Sequence, residues 1–203
     1  MTDSRASYLS AARSFVTQVA AVPVSALDGP GLGDWDLRAL VGHTSRSLVT
    51  VETYLDQPAG AEEVTSAAAY YRRIAEAGGA NTPEIAERGR QAGTALGDDP
   101  AASVRDLASR VTEKLAAYGD DYLLTTIVGG MRLGEYFRTR IFELVVHGFD
   151  IEAACGIDPA FADEPLVDAA TLAAEAAALS GRAAELLRAL TGRAVLPEDL
   201  SVV

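Results

Sequence analysis

Apolar side chains recur at helical spacing along most of the chain. Tyr8, Ala11, Ala12, Phe15, Val19 and Val22 mark one face of a predicted helix over 3–22. Pro23 and the run Asp28-Gly29-Pro30-Gly31-Leu32-Gly33 break it. Asp36 is placed to cap a second helix by accepting from its unpaired backbone N–H groups. The core stripe of that helix is Leu37, Leu40, Val41, Thr44, Leu48, Val51 and Leu55, and Gln57-Pro58-Ala59-Gly60 ends it. Residues 61–97 are less regular. They read as two shorter helices, 62–77 and 83–96, split by Gly78-Gly79-Ala80-Asn81-Thr82-Pro83. Beyond Gly97-Asp98-Asp99-Pro100, Val104, Leu107, Ala108, Val111 and Leu115 predict a helix over 101–118.

Tyr122 to Val128 is β-branched and apolar and reads as an extended connector ending at Gly129-Gly130. A long helix is predicted over 131–155, with Gly156 at the position of a left-handed C-terminal cap. A last helix, rich in Ala, Leu and Glu, is predicted over 163–190, and Gly192 and Pro197 close it into a tail. Four main helices with shorter satellites predict an all-α four-helix bundle. The passage from 58 to 100 makes at least one connection a long crossover. No repeat or low-complexity linker divides the sequence, so residues 1–203 read as one domain.

Composition sharpens this picture. Of 203 residues, 49% are hydrophobic and few are aromatic, so the chain can bury a core, and its alanine-rich character favours helices. Seventeen basic residues against 29 acidic ones give a net charge of −12. Such a field repels a phosphate backbone and an anionic membrane, so neither nucleic acid nor membrane is expected as a partner. The lone cysteine, Cys155, allows no internal disulfide. With no signal-peptide pattern and no apolar run of membrane-spanning length, a soluble cytoplasmic protein is the expectation.

The chemistry concentrates on helix 131–155. Leu133, Phe137, Ile141, Leu144, Gly148 and Ile151 fall on its core side, and Tyr136, Arg140, Glu143, His147 and Asp150 form one polar column on the flank. Burying such a column without partners would cost desolvation energy. Glu143 and His147, four residues apart, can point a carboxylate oxygen and an imidazole nitrogen at one ion; a plain helix-surface hydrogen bond or ion pair fits the same spacing. The chain's other histidine, His43, lies at the edge of the second helix's apolar stripe, where it could equally bond a backbone carbonyl. If the two helices are neighbours, His43, Glu143 and His147 can close one face of a coordination sphere. Two His and one carboxylate suit Zn²⁺, Ni²⁺ or Fe²⁺ and leave positions open.

Trp35-Asp36-Leu37-Arg38-Ala39-Leu40-Val41-Gly42-His43 resembles the Trp-Ser/Thr-x-Arg-Asp-Leu-Val-x-His segment of the mycothiol-dependent maleylpyruvate isomerase metal-binding domain. Glu143-Leu144-Val145-Val146-His147-Gly148-Phe149-Asp150-Ile151 is similar to that family's Glu-x-x-x-His-x-x-Asp-Leu helix. The resemblance implies a DinB-like four-helix bundle, with metal ligands at His43, Glu143 and His147 and zinc the first expectation for the metal. It further implies a transferase or isomerase that uses mycothiol or a related small thiol, because a metal favours the thiolate over the thiol. The partners are then that thiol and an electrophilic substrate, and a homodimer is the family's expectation. Asp150 matches an acidic family position that could orient the cofactor or a ligand; a solvated helix-end carboxylate is the other reading. Arg72, Arg73 and Arg140 are candidates for binding a substrate carboxylate, or plain surface cations. The maleylpyruvate isomerases carry a separate C-terminal domain, whereas one helix and about a dozen residues follow the metal helix's loop here. A stand-alone member with an unassigned substrate is therefore expected. The competing functions are a metal-dependent hydrolase that activates water, and a non-enzymatic metal-binding or dimerisation bundle.

Other residues read more plainly. Cys155 lies roughly 12 Å along the helix from His147, too far to share its metal, and reads as a small buried residue. Trp35 reads as a staple at the start of the second helix. Tyr70 and Tyr71 read as core, with a pocket lining as the alternative. Gly129-Gly130 lacks the pattern of a phosphate loop, Gly31-Leu32-Gly33 is a turn, and no Ser–His–Asp arrangement is evident.

Overall fold

A computed structural model describes residues 3–78, 83–197 and 201. Its main helices are α1 (Ser4–Ala21), α2 (Leu37–Tyr54), α5 (Pro100–Leu115) and α6 (Leu133–Cys155). Between them lie α3 (Ala67–Glu76), α4 (Pro83–Ala95) and a hairpin of β1 (Leu123–Thr126) and β2 (Gly129–Arg132), and α7 (Asp163–Leu179) and α8 (Ala183–Leu190) follow. Local chemistry sets the starts. Asp3, Asp36, Ser66 and Asp99 each turn a side-chain oxygen onto free N–H groups of the first turn; Asp36 accepts from the Ala39 amide at 2.7 Å. At the other end of α6, Gly156 adopts φ 74°, the left-handed cap that the sequence predicts.

Helices α1, α6, α2 and α5 pack in a closed ring, each against the next, and form the bundle; α4 covers α2, and α7 covers α6, α1 and α3. Tyr8, Phe15, Leu40, Leu48, Phe137, Ile141 and Leu144 are fully buried in its core. Each contributes roughly 1.5–3 kcal/mol by leaving water. Tyr8 stacks on Phe137 at 4.9 Å and donates its hydroxyl to the Ser47 carbonyl, tying α1 to both α6 and α2. Gln18 donates to the carbonyls of Gly148 and Ile157, each at 2.8 Å, and so anchors α6 one residue beyond His147.

Four predicted elements differ. The helix expected over 62–77 begins only at Ala67, because the segment before it is held as a strap on the hairpin: Thr125 donates to Gln57, Ala59 to Leu123, and Glu63 and Val64 to Gly130. The expected connector at 122–128 is strand β1, paired antiparallel with β2 from Leu123↔Arg132 to Thr126↔Gly129. Gly130 is needed there, since a Cβ would collide with the Ala61 carbonyl of the strap. The helix expected over 163–190 breaks at Ser180-Gly181-Arg182, where Gly181 takes φ 79°. The helix expected over 101–118 ends at Leu115. The predicted break at 79–82 lies outside the described residues. Among the described residues no helix is long and apolar enough to cross a membrane.

Candidate metal centre

The core stripe of α6 decides where its polar column points. Leu133, Phe137, Ile141, Leu144 and Ile151 are fully buried, and this places Tyr136, Arg140, Glu143 and His147 against α2 and α3 rather than in solvent. On α2, Leu40 and Thr44 face the core and leave His43 between them at the contact with α6. Gly42 sits directly against the backbone of Ala92 and Gly93 on α4, where any Cβ would clash, so α4 lies in close contact with the turn of α2 that carries His43. One ligand-capable atom each from His43, Glu143 and His147 lies within 4.8 Å of the others.

The details fit an ion. His147 Nε2 is 3.4 Å from Glu143 Oε2. Two ligands at about 2.05 Å from a tetrahedral ion stand about 3.3 Å apart. His147 Nδ1 is 2.9 Å from Asp150 Oδ2, the carboxylate–histidine contact that fixes a ligand's tautomer and ring orientation. The Tyr71 hydroxyl donates to Glu143 Oε1 at 2.6 Å and also lies 3.2 Å from the Thr139 carbonyl. His43 Nδ1 is buried without a hydrogen bond. The His43 ring meets His147 edge-on at 4.8 Å and leans on Trp35 at 4.6 Å. Trp35 in turn donates to the Ala86 carbonyl on α4, and only a glycine at 89 leaves room for its ring.

The electrostatics are unequal. Burial, helped by the neighbouring His147, pushes His43 down to about 4, so it is a neutral ligand at physiological pH. Burial also works against a charged His147, but hydrogen bonds to Asp150 and Glu143 outweigh it and raise the ring to about 9. Desolvation would raise Glu143; the His147 hydrogen bond and the Arg140 charge hold it well below the usual carboxylate range instead. Without a metal, then, an imidazolium sits between two carboxylates and balances charge that a divalent cation could balance in its place.

The predicted residues divide. His43, Glu143, His147 and Asp150 come together, and Arg140 lies one turn from Glu143. Arg72 is on the exposed face of α3 facing Glu76, and Arg73 is committed to the carbonyls of Val128 and Glu63, so neither is brought to the cluster. Cys155 is half-buried and donates to the Ile151 carbonyl. Sequence reasoning missed three contributors. Trp35 walls His43 as well as opening α2. Arg46, one turn after His43, acts on its charge and was signalled by that spacing. Tyr71 has no local signal, because Glu143 is 72 residues away.

Comparison with known proteins agrees with this geometry. No curated protein and no solved structure matches the chain significantly. The family model described as the mycothiol maleylpyruvate isomerase N-terminal domain matches residues 8–152, from α1 almost to the end of α6, and so includes His43, Glu143 and His147. Over most of its length, therefore, the chain is an all-α DinB-like bundle that belongs to the mycothiol maleylpyruvate isomerase N-terminal domain family, a family of metal-binding proteins.

Proposed function

We propose that this protein binds a divalent metal, zinc first among the candidates, through His43, Glu143 and His147, and works as a small-thiol transferase or isomerase with mycothiol or a similar thiol. The observation that carries the metal reading is the buried, unbonded Nδ1 of His43 beside a Glu143–His147 pair already at ligand spacing. Three protein ligands rather than four among the described residues favour a reactive over a structural site. When bound, the metal would supply Lewis acidity that favours the thiolate form of the cofactor. The chain's own residues do the rest. Asp150 orients His147, Tyr71 holds Glu143, and Trp35 with α4 shields His43 from water. Because α7 packs on α6, α1 and α3, the whole of 1–203 is read as a single domain.

The test is metal content and thermal stability of the wild type and of His147→Ala. Absence of metal in the wild type, with no change in the variant, rejects the site. With metal present, addition of mycothiol to the Co²⁺-substituted protein is expected to change its absorption through a sulfur–metal bond. No change would reject the thiol reading and favour hydrolysis or a structural metal.

A further inference from the structure

Helix α8 is strongly amphipathic, yet none of its residues is buried. Leu187 and Leu190, one turn apart, are 62% and 70% exposed. The helix turns the wrong edge of its apolar face inward. Ala183, Leu186 and Ala189 are half-buried, whereas Leu187 and Leu190 lie on the flank, beyond the contact with α7. An exposed apolar ridge of this kind marks an interaction surface. The ridge is also basic: residues 180–197 carry Arg182, Arg188 and Arg193 against Glu185 alone, while residues 1–179 carry 14 basic and 26 acidic residues. Arg188 has no carboxylate at ion-pair distance among the described residues.

A groove with the opposite character lies at the root of α8. The facing sides of α3 and α7 leave about 280 Å³ open over Ala68, Tyr71 and Ala176, with Ala75, Leu179 and Glu76 at the edges. The alanines leave room for leucine side chains. The α3 wall from Ala68 to Glu76 is about 12 Å long, the same as α8. Glu76 is 68% exposed and held only loosely by Arg72, at 3.8 Å, so it is free to meet another cation. The turn at Ser180-Gly181-Arg182, with Gly181 at φ 79°, folds α8 back on α7, and no α8 side chain lines the groove.

We propose that α8 docks its Leu187–Leu190 ridge into the α3–α7 groove of a second copy of this chain, whose own α8 fills the first groove. A two-fold axis near Gly181 exchanges ridge and groove at once and closes the assembly at a dimer. Stable interfaces bury about 1,200 Å² or more in total, and the exchange doubles what one short helix contributes. Charge supports the same occupant. The acidic body of a second copy attracts the basic ridge, with Arg188 meeting Glu76, whereas the body's net charge repels an anionic bilayer. Helix α8 lies beyond the family match over 8–152, and the contact does not rest on the metal reading.

Sedimentation equilibrium of the full chain over about 1–100 µM, with and without EDTA, tests this by mass action. The wild type is expected to approach twice its 21.2 kDa chain mass in both conditions. Leu187→Glu is expected to weaken dimerisation about a hundredfold or more, because the leucine is lost twice and burying each is worth about tenfold. Ala75→Arg, which sets a cation in the groove against Arg188, is expected to do the same. Both positions are exposed, and circular dichroism checks that each variant is folded. An equimolar mixture of the two is expected to associate more tightly than either alone, because it keeps one intact ridge facing one intact groove. Ile127→Glu, on the exposed hairpin tip, is expected to dimerise as the wild type does. A wild type that stays monomeric, unimpaired dimerisation of Leu187→Glu, or full dimerisation of Ala75→Arg would each overturn the proposal. So would a monomer that binds phosphatidylglycerol vesicles through Leu187, which would make the ridge a lipid anchor instead.

Discussion

Raising the pH from 6 to 8 is expected to strengthen divalent-metal binding about a hundredfold. A metal takes only the neutral imidazole, and in the metal-free site His147 holds its proton up to about pH 9, despite burial, because Asp150 and Glu143 both bond the ring. His43 is pushed down to about 4 and needs no deprotonation in this range. Binding below pH 9 thus expels about one proton, each pH unit adds about 1.4 kcal/mol, and two units add about 2.7 kcal/mol. The sign follows from the raised value: affinity climbs as pH rises toward 9 and levels off above it. Competition of Zn²⁺ between the protein and a chelator of known affinity at each pH measures the slope. Calorimetry in buffers of different ionisation enthalpy counts the protons independently. Equal affinities at pH 6 and 8, corrected for the chelator, with no proton released, would refute the coupling.

Three further outcomes are expected. Asp150→Asn removes the carboxylate that bonds His147 Nδ1 and should weaken metal binding about 10- to 100-fold, measured by the same competition; unchanged affinity would mean that the contact does not orient the ring. Tyr71→Phe deletes the 2.6 Å hydrogen bond to Glu143 and should cost about 1.5–3 kcal/mol in urea unfolding of the metal-free protein, whereas a loss below about 0.5 kcal/mol would show that the carboxylate is satisfied without it. Gly42→Ala drives a methyl group into the backbone of Gly93 and Ala92 and should destabilise the fold by about 1–3 kcal/mol; if instead the variant is as stable as the wild type, α4 does not press on α2 as described.

The bundle was legible wherever apolar spacing and end signals coincide. Tyr8 to Val22, Leu37 to Leu55 and Leu133 to Ile151 each carry a stripe, and Asp36 and Gly156 mark ends that the structure keeps. The hairpin was not legible, because its second strand opens with Gly129-Gly130, which reads as a terminator. What makes it a strand is a strap about 70 residues earlier that demands a residue without a side chain. The break at Gly181 was hidden by an alanine-rich run whose propensity is helical on both sides. At the site, the polar column on α6 was visible from its period, but its burial was not. Nothing in 131–155 states that α2 and α3 lie over that flank. Arg140 looked like any of three arginines until packing separated it from Arg72 and Arg73.

The position of Trp35 turns this protein into its own optical probe. It is the chain's only tryptophan, and its ring lies 4.6 Å from that of His43. Indole emission therefore originates beside the cluster, with no background from a second site. Co²⁺ or Ni²⁺, with partly filled d shells, would quench it on arrival, whereas Zn²⁺ would alter it only through the field it imposes. Because the indole N–H is also bonded to Ala86, a shift in emission colour without quenching would report α4 lifting away from α2. Occupancy of the centre and opening of its cover can thus be followed as two separate signals from one unlabelled residue.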